Sequence, residues 1–163
     1  MKNYTFFLNN YHSKEHLVKT LFFTFLTFIL LFTVPASPQA KEGEARDGVF
    51  IHITHGKENA HRLLMGFRMA LNMAEAGKDV IIYCDIEAVK VLTEKAKDIK
   101  LKEFLSLHEM ITKLHEMNIK IMACPTCMKV AGINEKQLRK EVIVANRDYF
   151  FSFTKGRILT LDY

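Results

Sequence analysis

Residues 49–84 read VFIHITHGKENAHRLLMGFRMALNMAEAGKDVIIYC. The two ends of this segment are short, β-branched apolar runs, which are typical of buried strands. Between them, apolar residues recur at helical spacing, at Leu63, Leu64, Phe67, Ala70, Leu71 and Ala74. Asn59 is predicted to cap the start of this helix, and Gly77 lies where a helix-ending glycine belongs. This order predicts a βαβ unit with two parallel strands.

The same alternation of apolar runs and helical periodicity continues toward the C-terminus. Further strands are predicted over residues 119–123, 142–144 and 157–161. Helices are predicted over residues 87–95 and 105–117, from the Asn134–Gln137 capping pair to about Lys140, and from Asn146 to about Phe153. Strands that alternate with helices along the chain predict an α/β fold with a mostly parallel sheet.

Several reactive residues directly follow predicted strands. Cys84 ends the second strand, Cys124 follows the third, and the loop that contains His55 follows the first. In parallel sheets, ligands and reactive groups collect beyond the carboxyl ends of the strands. The sequence therefore predicts that these segments meet at one edge of the sheet. Cys84 itself is more typical of a small buried apolar residue than of a second nucleophile.

The segment Cys-Pro-Thr-Cys at residues 124–127 is the strongest chemical signal in the chain. A helix is predicted to begin around Cys127 or Met128, and a thiol at a helix N-terminus has a lowered pKa. A thiolate attacks a sulfane sulfur or a disulfide and remains as a persulfide or a mixed disulfide. We therefore predict that Cys124 is the nucleophile. Cys127, one helical turn away, is predicted to be the resolving thiol and the less exposed of the two.

Two other interpretations of these cysteines stay open. In a dithiol redox protein, Cys124 and Cys127 would cycle between two thiols and a disulfide. In a non-catalytic oligomeric binding module, both cysteines would be structural. A metal site is not predicted, because Met128 stands where haem attachment needs histidine and no second Cys-x-x-Cys supplies zinc ligands. No bound cofactor is expected.

The N-terminal segment has the composition of a targeting signal. Residues 20–34 read TLFFTFLTFILLFTV and follow a positively charged stretch. This apolar run is shorter than the roughly twenty residues of a membrane span. It predicts a signal peptide or an N-terminal anchor over residues 1–40, and a polar linker over 41–47. The domain at 48–163 is then exported, either periplasmic or membrane-anchored outside the cytoplasm, with membrane contact only through the N-terminal segment.

Residues 48–163 resemble a DsrE/DsrF-like domain over nearly their whole length. Three segments carry the resemblance: HITHGKENAHRLLMGFRMALNMAEAGKDVIIYCDIEAV at 52–89, ACPTCMKVAGI at 123–133 and TKGRILTLDY at 154–163. The first segment matches the family's pattern at Thr54, Gly56, Asn59, Arg62, Asp85, Ile86 and Glu87. In the second, Cys124 stands eight residues before Gly132, which is the spacing of the family's sulfur-accepting cysteine.

The resemblance implies a three-layer αβα sandwich around a mostly parallel, five-stranded sheet. It also implies a homo-oligomer, such as a trimer or hexamer, and a persulfide-carrying cysteine. The predicted function is a sulfur carrier or sulfurtransferase-like protein, with sulfur donor and acceptor proteins or small sulfur compounds as partners. The catalytic residues are then Cys124 and Cys127, and the expected substrate contacts are His55, Gly56, Asp85 and Lys129. Nucleic acid is not an expected partner, because the net charge of +5 includes no basic cluster interleaved with aromatic residues.

Overall fold

The computed structural model describes residues 45–163, so the predicted signal peptide or anchor at 1–40 and most of the linker at 41–47 lie outside the described residues. The strands of the described part are β1 Gly48–Ile53, β2 Asp79–Cys84, β3 Lys120–Ala123, β4 Val142–Val144 and β5 Ile158–Asp162. Its α-helices are α1 Ala60–Glu75, α2 Leu107–Glu116, α3 Pro125–Val130 and α4 Arg147–Ser152. Short 3-10 segments lie at Lys57–Asn59, Ala88–Leu92 and Glu135–Gln137.

All five strands run parallel in one sheet, in the order β4-β3-β2-β1-β5. β1 lies between β2 and β5, with Ile53 opposite Cys84 and His52 opposite Asp162. Because the strands share one direction, their carboxyl ends lie along one edge of the sheet, where reactive groups of such folds collect. The predicted α/β class is confirmed, and this sheet is wholly parallel.

One face of the sheet, here called the covered face, carries the main apolar core. On β1 this face presents Val49, Ile51 and Ile53, which are at most 3% exposed. Helices α1 and α2 pack against it and contribute fully buried side chains such as Phe67 and Met110. The alternation along β1 follows from the two-residue period of a strand, which sends successive side chains to opposite faces.

The opposite face, here called the open face, is covered only in part. On β1 and β2 it presents Phe50, His52 and Tyr83, which are half-buried, and Ile81, which is fully buried. Phe150 of α4 lies over them, with its ring centroid 5.7 Å from that of Phe50 and 5.2 Å from that of Tyr83. Helices therefore flank the sheet on both sides, which confirms the predicted three-layer arrangement.

The helix predicted over residues 87–95 is largely wrong. Only Ala88–Leu92 is helical, and it is a 3-10 segment. The next residue, Thr93, is extended and forms an isolated antiparallel bridge with Leu138. This pairing with a distant segment takes the backbone out of the helical conformation, and helical spacing in the sequence carries no signal for it.

The helix predicted over residues 105–117 begins two residues later, at Leu107. Ser106 and Glu109 form a reciprocal capping box, in which each side chain accepts a backbone N–H of the other residue. This arrangement satisfies N–H groups that the first turn leaves free and so defines the helix start. The predicted Asn134–Gln137 capping pair is also present, but the predicted helix to about Lys140 is wrong, because only Glu135–Gln137 forms a 3-10 turn and Leu138 is extended.

Candidate functional site

The carboxyl ends of the strands bring the predicted site segments together at one edge of the sheet. The backbone N–H of Cys124 donates to the carbonyl of Cys84 at 2.9 Å, which extends the β2–β3 pairing by one residue. The N–H of Asp85 donates to the carbonyl of Ile53 at 3.0 Å, which does the same for β1 and β2. The chain segments that leave β1, β2 and β3 therefore lie side by side, as predicted.

Cys124 is the N-cap of α3. The helix begins at Pro125, so the predicted start at Cys127 or Met128 is wrong. Proline is favoured at the first helical position because its fixed φ suits the helix and its missing N–H needs no partner there. Cys124 itself is extended, and its Sγ accepts the backbone N–H of Cys127 at 3.5 Å. The thiol thus contacts the first turn of the helix directly.

The surroundings of Cys124 favour its thiolate form. Burial raises the pKa of Cys124, but hydrogen bonds from the Tyr83 hydroxyl, from the N–H and thiol of Cys127 and from the N–H of Thr126 outweigh burial and lower the pKa overall. A hydrogen bond donated to the charged form of a group favours that form. Cys124 is therefore the thiol of this site that ionises first.

Cys127 has the opposite tendency. The N–H of Ile86 lowers the pKa of Cys127, but burial, the Cys124 thiolate and the Asp85 carboxylate raise it overall. Ile86 has φ of +48°, a left-handed conformation that is costly for a β-branched residue. Ile86 belongs to the turn after β2, and this turn directs the Ile86 N–H toward Cys127.

The exposure of the two thiols is the reverse of the prediction. Cys124 is only 8% exposed, whereas Cys127 is half-buried. The reason is that Cys124 caps α3 beside Tyr83, while Cys127 borders an open groove of about 230 Å³. The groove is lined by Ile86, Glu87, Lys90, Cys127, Val130 and Ala131. All three cysteines of the chain are free thiols, and Cys84 is fully buried, with a pKa that burial and then Asp85 raise.

The predicted substrate contacts have different surroundings in the structure. Asp85 is close enough to Cys127 to raise its pKa. His55 lies in the neighbouring loop, where its Nδ1 is 2.9 Å from the Thr54 hydroxyl. Gly56 is buried, and a Cβ there would come within 2.7 Å of the Glu87 carbonyl oxygen, so this glycine permits close packing of the two loops. Lys129 is exposed on α3.

Sequence reasoning missed two residues of the open face, Tyr83 and His52. The His52 ring stacks on Tyr83 at a centroid distance of 5.6 Å. Its Nδ1 is 2.8 Å from Asp162 Oδ1, and its Nε2 is 3.1 Å from Asp85 Oδ2. Polar side chains within otherwise apolar strands were the available signal, since such residues mark the face that is not fully buried.

Neither metal ligands nor membrane spans stand out in the described part of the chain. Within residues 45–163, His, Cys, Asp and Glu side chains form no group of three or more that could hold a metal ion. Within the same residues, no helix is both long and apolar enough to cross a membrane. The apolar run at 20–34, which carried the prediction of a signal or anchor, lies outside these residues.

Comparison with known proteins gives one family and two similar folds. A model of the DsrE/DsrF-like family matches residues 47–151. The crystal structure of the ychN protein from E. coli has 19% identity and a TM-score of 0.56, covering 71% of this chain and 99% of that chain. MTH1491, a protein of unknown function from Methanobacterium thermoautotrophicum, has 15% identity and a TM-score of 0.51 with the same coverage. At these identities the likeness shows the fold alone. No curated protein gives a significant match.

Proposed function

Because the chain belongs to the DsrE/DsrF-like family, which is broadly linked to sulfur relay, we propose that it is a sulfur carrier that holds sulfane sulfur on Cys124. The observation that supports this assignment most is the inequality of the three thiols. Hydrogen bonds lower the pKa of Cys124, whereas the pKa values of Cys127 and Cys84 are raised. A thiolate, not a thiol, is the nucleophile in sulfur transfer.

The proposed loading step needs no external oxidant or reductant. The Cys124 thiolate attacks the terminal sulfur of a persulfide or polysulfide donor, and a new S–S bond forms at Sγ. The S–S bond of the donor breaks, and its electron pair leaves with the donor as a thiolate. One neutral sulfur atom with its proton has then moved, and Cys124 carries a persulfide. In the unloading step, an acceptor thiolate takes the terminal sulfur and Cys124 becomes a thiolate again.

A second candidate is a dithiol redox function. Its support is the proximity of the two cysteines: the Cys127 N–H donates to Cys124 Sγ at 3.5 Å, and the Cys127 thiol also hydrogen-bonds this sulfur. In the carrier function, the same proximity makes Cys127 a resolving thiol. Its thiolate would attack the inner sulfur of the Cys124 persulfide, release hydrogen sulfide ion and leave a disulfide between the two cysteines.

The assembly and partners of the chain remain part of this proposal. Large apolar side chains are exposed at Val130, Phe151, Ile158 and Leu159. Burying such surface between copies would stabilise a homo-oligomer of three or six chains. Sulfur donors and acceptors, as proteins or small sulfur compounds, are the proposed partners. Export of the domain rests on the apolar run at residues 20–34 alone.

Persulfide loading tests the proposed function. The reduced full chain is incubated with polysulfide, desalted and analysed by mass spectrometry, and it should gain about 32 Da, the mass of one sulfur. Cys124 and Cys127 lie in one tryptic peptide, residues 121–129, so variants must assign the site. Cys124→Ser should abolish loading, and Cys127→Ser should load and hold the persulfide longer. Cys84→Ala, which removes a fully buried thiol, is the matched control and should load normally.

Three outcomes would contradict the carrier function. Loading of Cys124→Ser to the wild-type level would place the sulfur elsewhere. A loss of about 2 Da in wild type, together with no persulfide on Cys127→Ser, which lacks the resolving thiol, would show direct disulfide formation and would favour the redox function. Thiols that stay unmodified would favour a binding module without sulfur chemistry.

A further inference from the structure

Tyr83 and Cys124 project from the same face of the sheet. Tyr83 on β2 is opposite Met122 on β3, and Cys124 follows Met122 by two residues. Side chains two residues apart on an extended segment share a face, and Cys124 remains extended and paired through its N–H. Tyr83 and Cys124 are therefore diagonal neighbours on the open face, across two paired strands, which is within reach of a long aromatic side chain.

The Tyr83 ring is held on several sides. His52 stacks on it at 5.6 Å and Phe50 at 6.3 Å, while the ring of Phe150 meets it edge-on at 5.2 Å. His52 is itself held between Asp85 and Asp162. A side chain that is already fixed by packing loses little conformational entropy when it forms a hydrogen bond. The Tyr83 hydroxyl is therefore preorganised as a donor.

The direction of the hydrogen bond follows from the local charges. Burial, then the neighbouring Cys124, then Asp85 and Cys127 raise the pKa of Tyr83, so the phenol keeps its proton when Cys124 ionises. The phenol is thus the donor and the sulfur the acceptor. A hydrogen bond donated to a charged sulfur stabilises that charge more in a partly desolvated site than the same hydrogen bond does in water.

We propose that Tyr83 is a catalytic residue of the site, whose hydroxyl donates to Cys124 Sγ each time that sulfur carries negative charge. This inference rests on the proposed sulfur-carrier function. In loading, the hydroxyl stabilises the attacking thiolate. In unloading, the acceptor thiolate attacks the terminal sulfur, the bond to Sγ breaks, and its electron pair returns to Sγ. The Tyr83 hydroxyl again donates to this leaving thiolate, while the proton stays with the transferred sulfur.

Alkylation of Cys124 tests this role without relying on persulfide chemistry. The rate of iodoacetamide reaction is measured from pH 5 to 10 in the full chain, with fragment ions distinguishing Cys124 from Cys127. Tyr83→Phe removes the hydroxyl and keeps the ring between its neighbours. We expect the midpoint of Cys124 to rise by about one pH unit, with roughly tenfold slower alkylation below that midpoint. The unloading rate of a preloaded persulfide should fall in parallel.

Two further variants keep the test decisive. Tyr149→Phe is the matched control. Tyr149 lies on α4, where its ring contacts the ammonium group of Lys120, and its replacement should leave the midpoint of Cys124 unchanged. Replacement of Tyr83 by para-aminophenylalanine retains a donor N–H and should restore most of the wild-type profile. An unchanged midpoint in Tyr83→Phe, or an equal shift in the Tyr149→Phe control, overturns the role of Tyr83. If wild type never loads sulfur but the midpoint still shifts, the carrier function fails while the hydrogen bond stands.

Discussion

On the covered face of the sheet, Val49, Ile51 and Ile53 lie fully inside the apolar core beneath α1 and α2. On the open face of the same strand, Phe50 and His52 are only half-buried. Polar groups that would be costly in the core therefore survive on the open face, where they contact one another and, through Tyr83, Cys124. The covered face of β1 thus contributes to the stability of the fold, whereas the open face of β1 contributes side chains that surround the site.

The largest effect is expected on the covered face. Phe67→Ala removes a fully buried ring under α1 and should lower the free energy of unfolding by about 3–5 kcal/mol. Urea unfolding of the full chain measures this loss, and the alkylation midpoint of Cys124 in the folded protein should not move. Phe50→Ala is the counterpart on the open face and should cost clearly less. Equal costs would break the distinction between the two faces.

A smaller effect is expected from the helix that partly covers the open face. Phe150→Ala removes a half-buried ring from Tyr83 and Phe50, and should cost about 1–2 kcal/mol of unfolding free energy. The adjacent Phe151 is 83% exposed, so Phe151→Ala should change stability by less than about 0.5 kcal/mol. Unlike Phe67→Ala, Phe150→Ala should also raise the alkylation midpoint of Cys124, because Tyr83 is less firmly held.

His52 should give the open face a dependence on pH. Burial lowers the pKa of His52, but Asp85 and Asp162 outweigh it and raise the pKa overall. The contribution of His52 to the free energy of unfolding is therefore complete below about pH 6.5, the pKa of histidine in the unfolded chain. This contribution is lost as the pH rises through the pKa of His52 in the folded protein. Urea unfolding at each pH measures the free energy of unfolding of wild type and of His52→Asn. The difference between the two should fall by about 1 kcal/mol or less as the pH rises. Asp162→Asn should reduce it, and a difference that grows with pH would contradict the assignment.

The smallest effect concerns the turn after β2. Ile86 is 58% exposed and left-handed, so Ile86→Gly should remove backbone strain while losing little burial. Glycine also has more freedom in the unfolded chain, and the net gain should be about 0.5 kcal/mol in a thermal melt. Ile86→Ala retains a Cβ and should give no gain. A gain in both variants would mean that the side chain, not the backbone, is the strained part.

The fold was predictable because its elements carry local signals. The apolar runs of β1 and β2, the helical spacing between them and the cap at Asn59 all lie within one continuous segment, and each is present as predicted. The βαβ rule then supplies the parallel direction of the strands. The conformation at Thr93 was not predictable in this way, because it depends on pairing with Leu138.

The site was predictable only in part. Cys124, Cys127 and Asp85 lie together because each follows a strand end. The contribution of Tyr83 depends on the register of β2 against β3, and that of Asp162 on β5 lying beside β1. Lateral strand order and register join residues far apart in sequence, and no local pattern encodes them. The reversed exposure of the two cysteines has a local cause, the helix start at Pro125.

The pH dependence of alkylation at the two thiols, measured separately in the wild-type full chain, tests the central claim most directly. Access slows the buried Cys124, so the midpoint of each profile, not the absolute rate, reports ionisation. Cys124 should have a midpoint below the free-thiol value of about 8.5, and Cys127 a midpoint above it. A lower midpoint for Cys127, or equal midpoints near the free value, would contradict the assignment of Cys124 as the sulfur-carrying thiol.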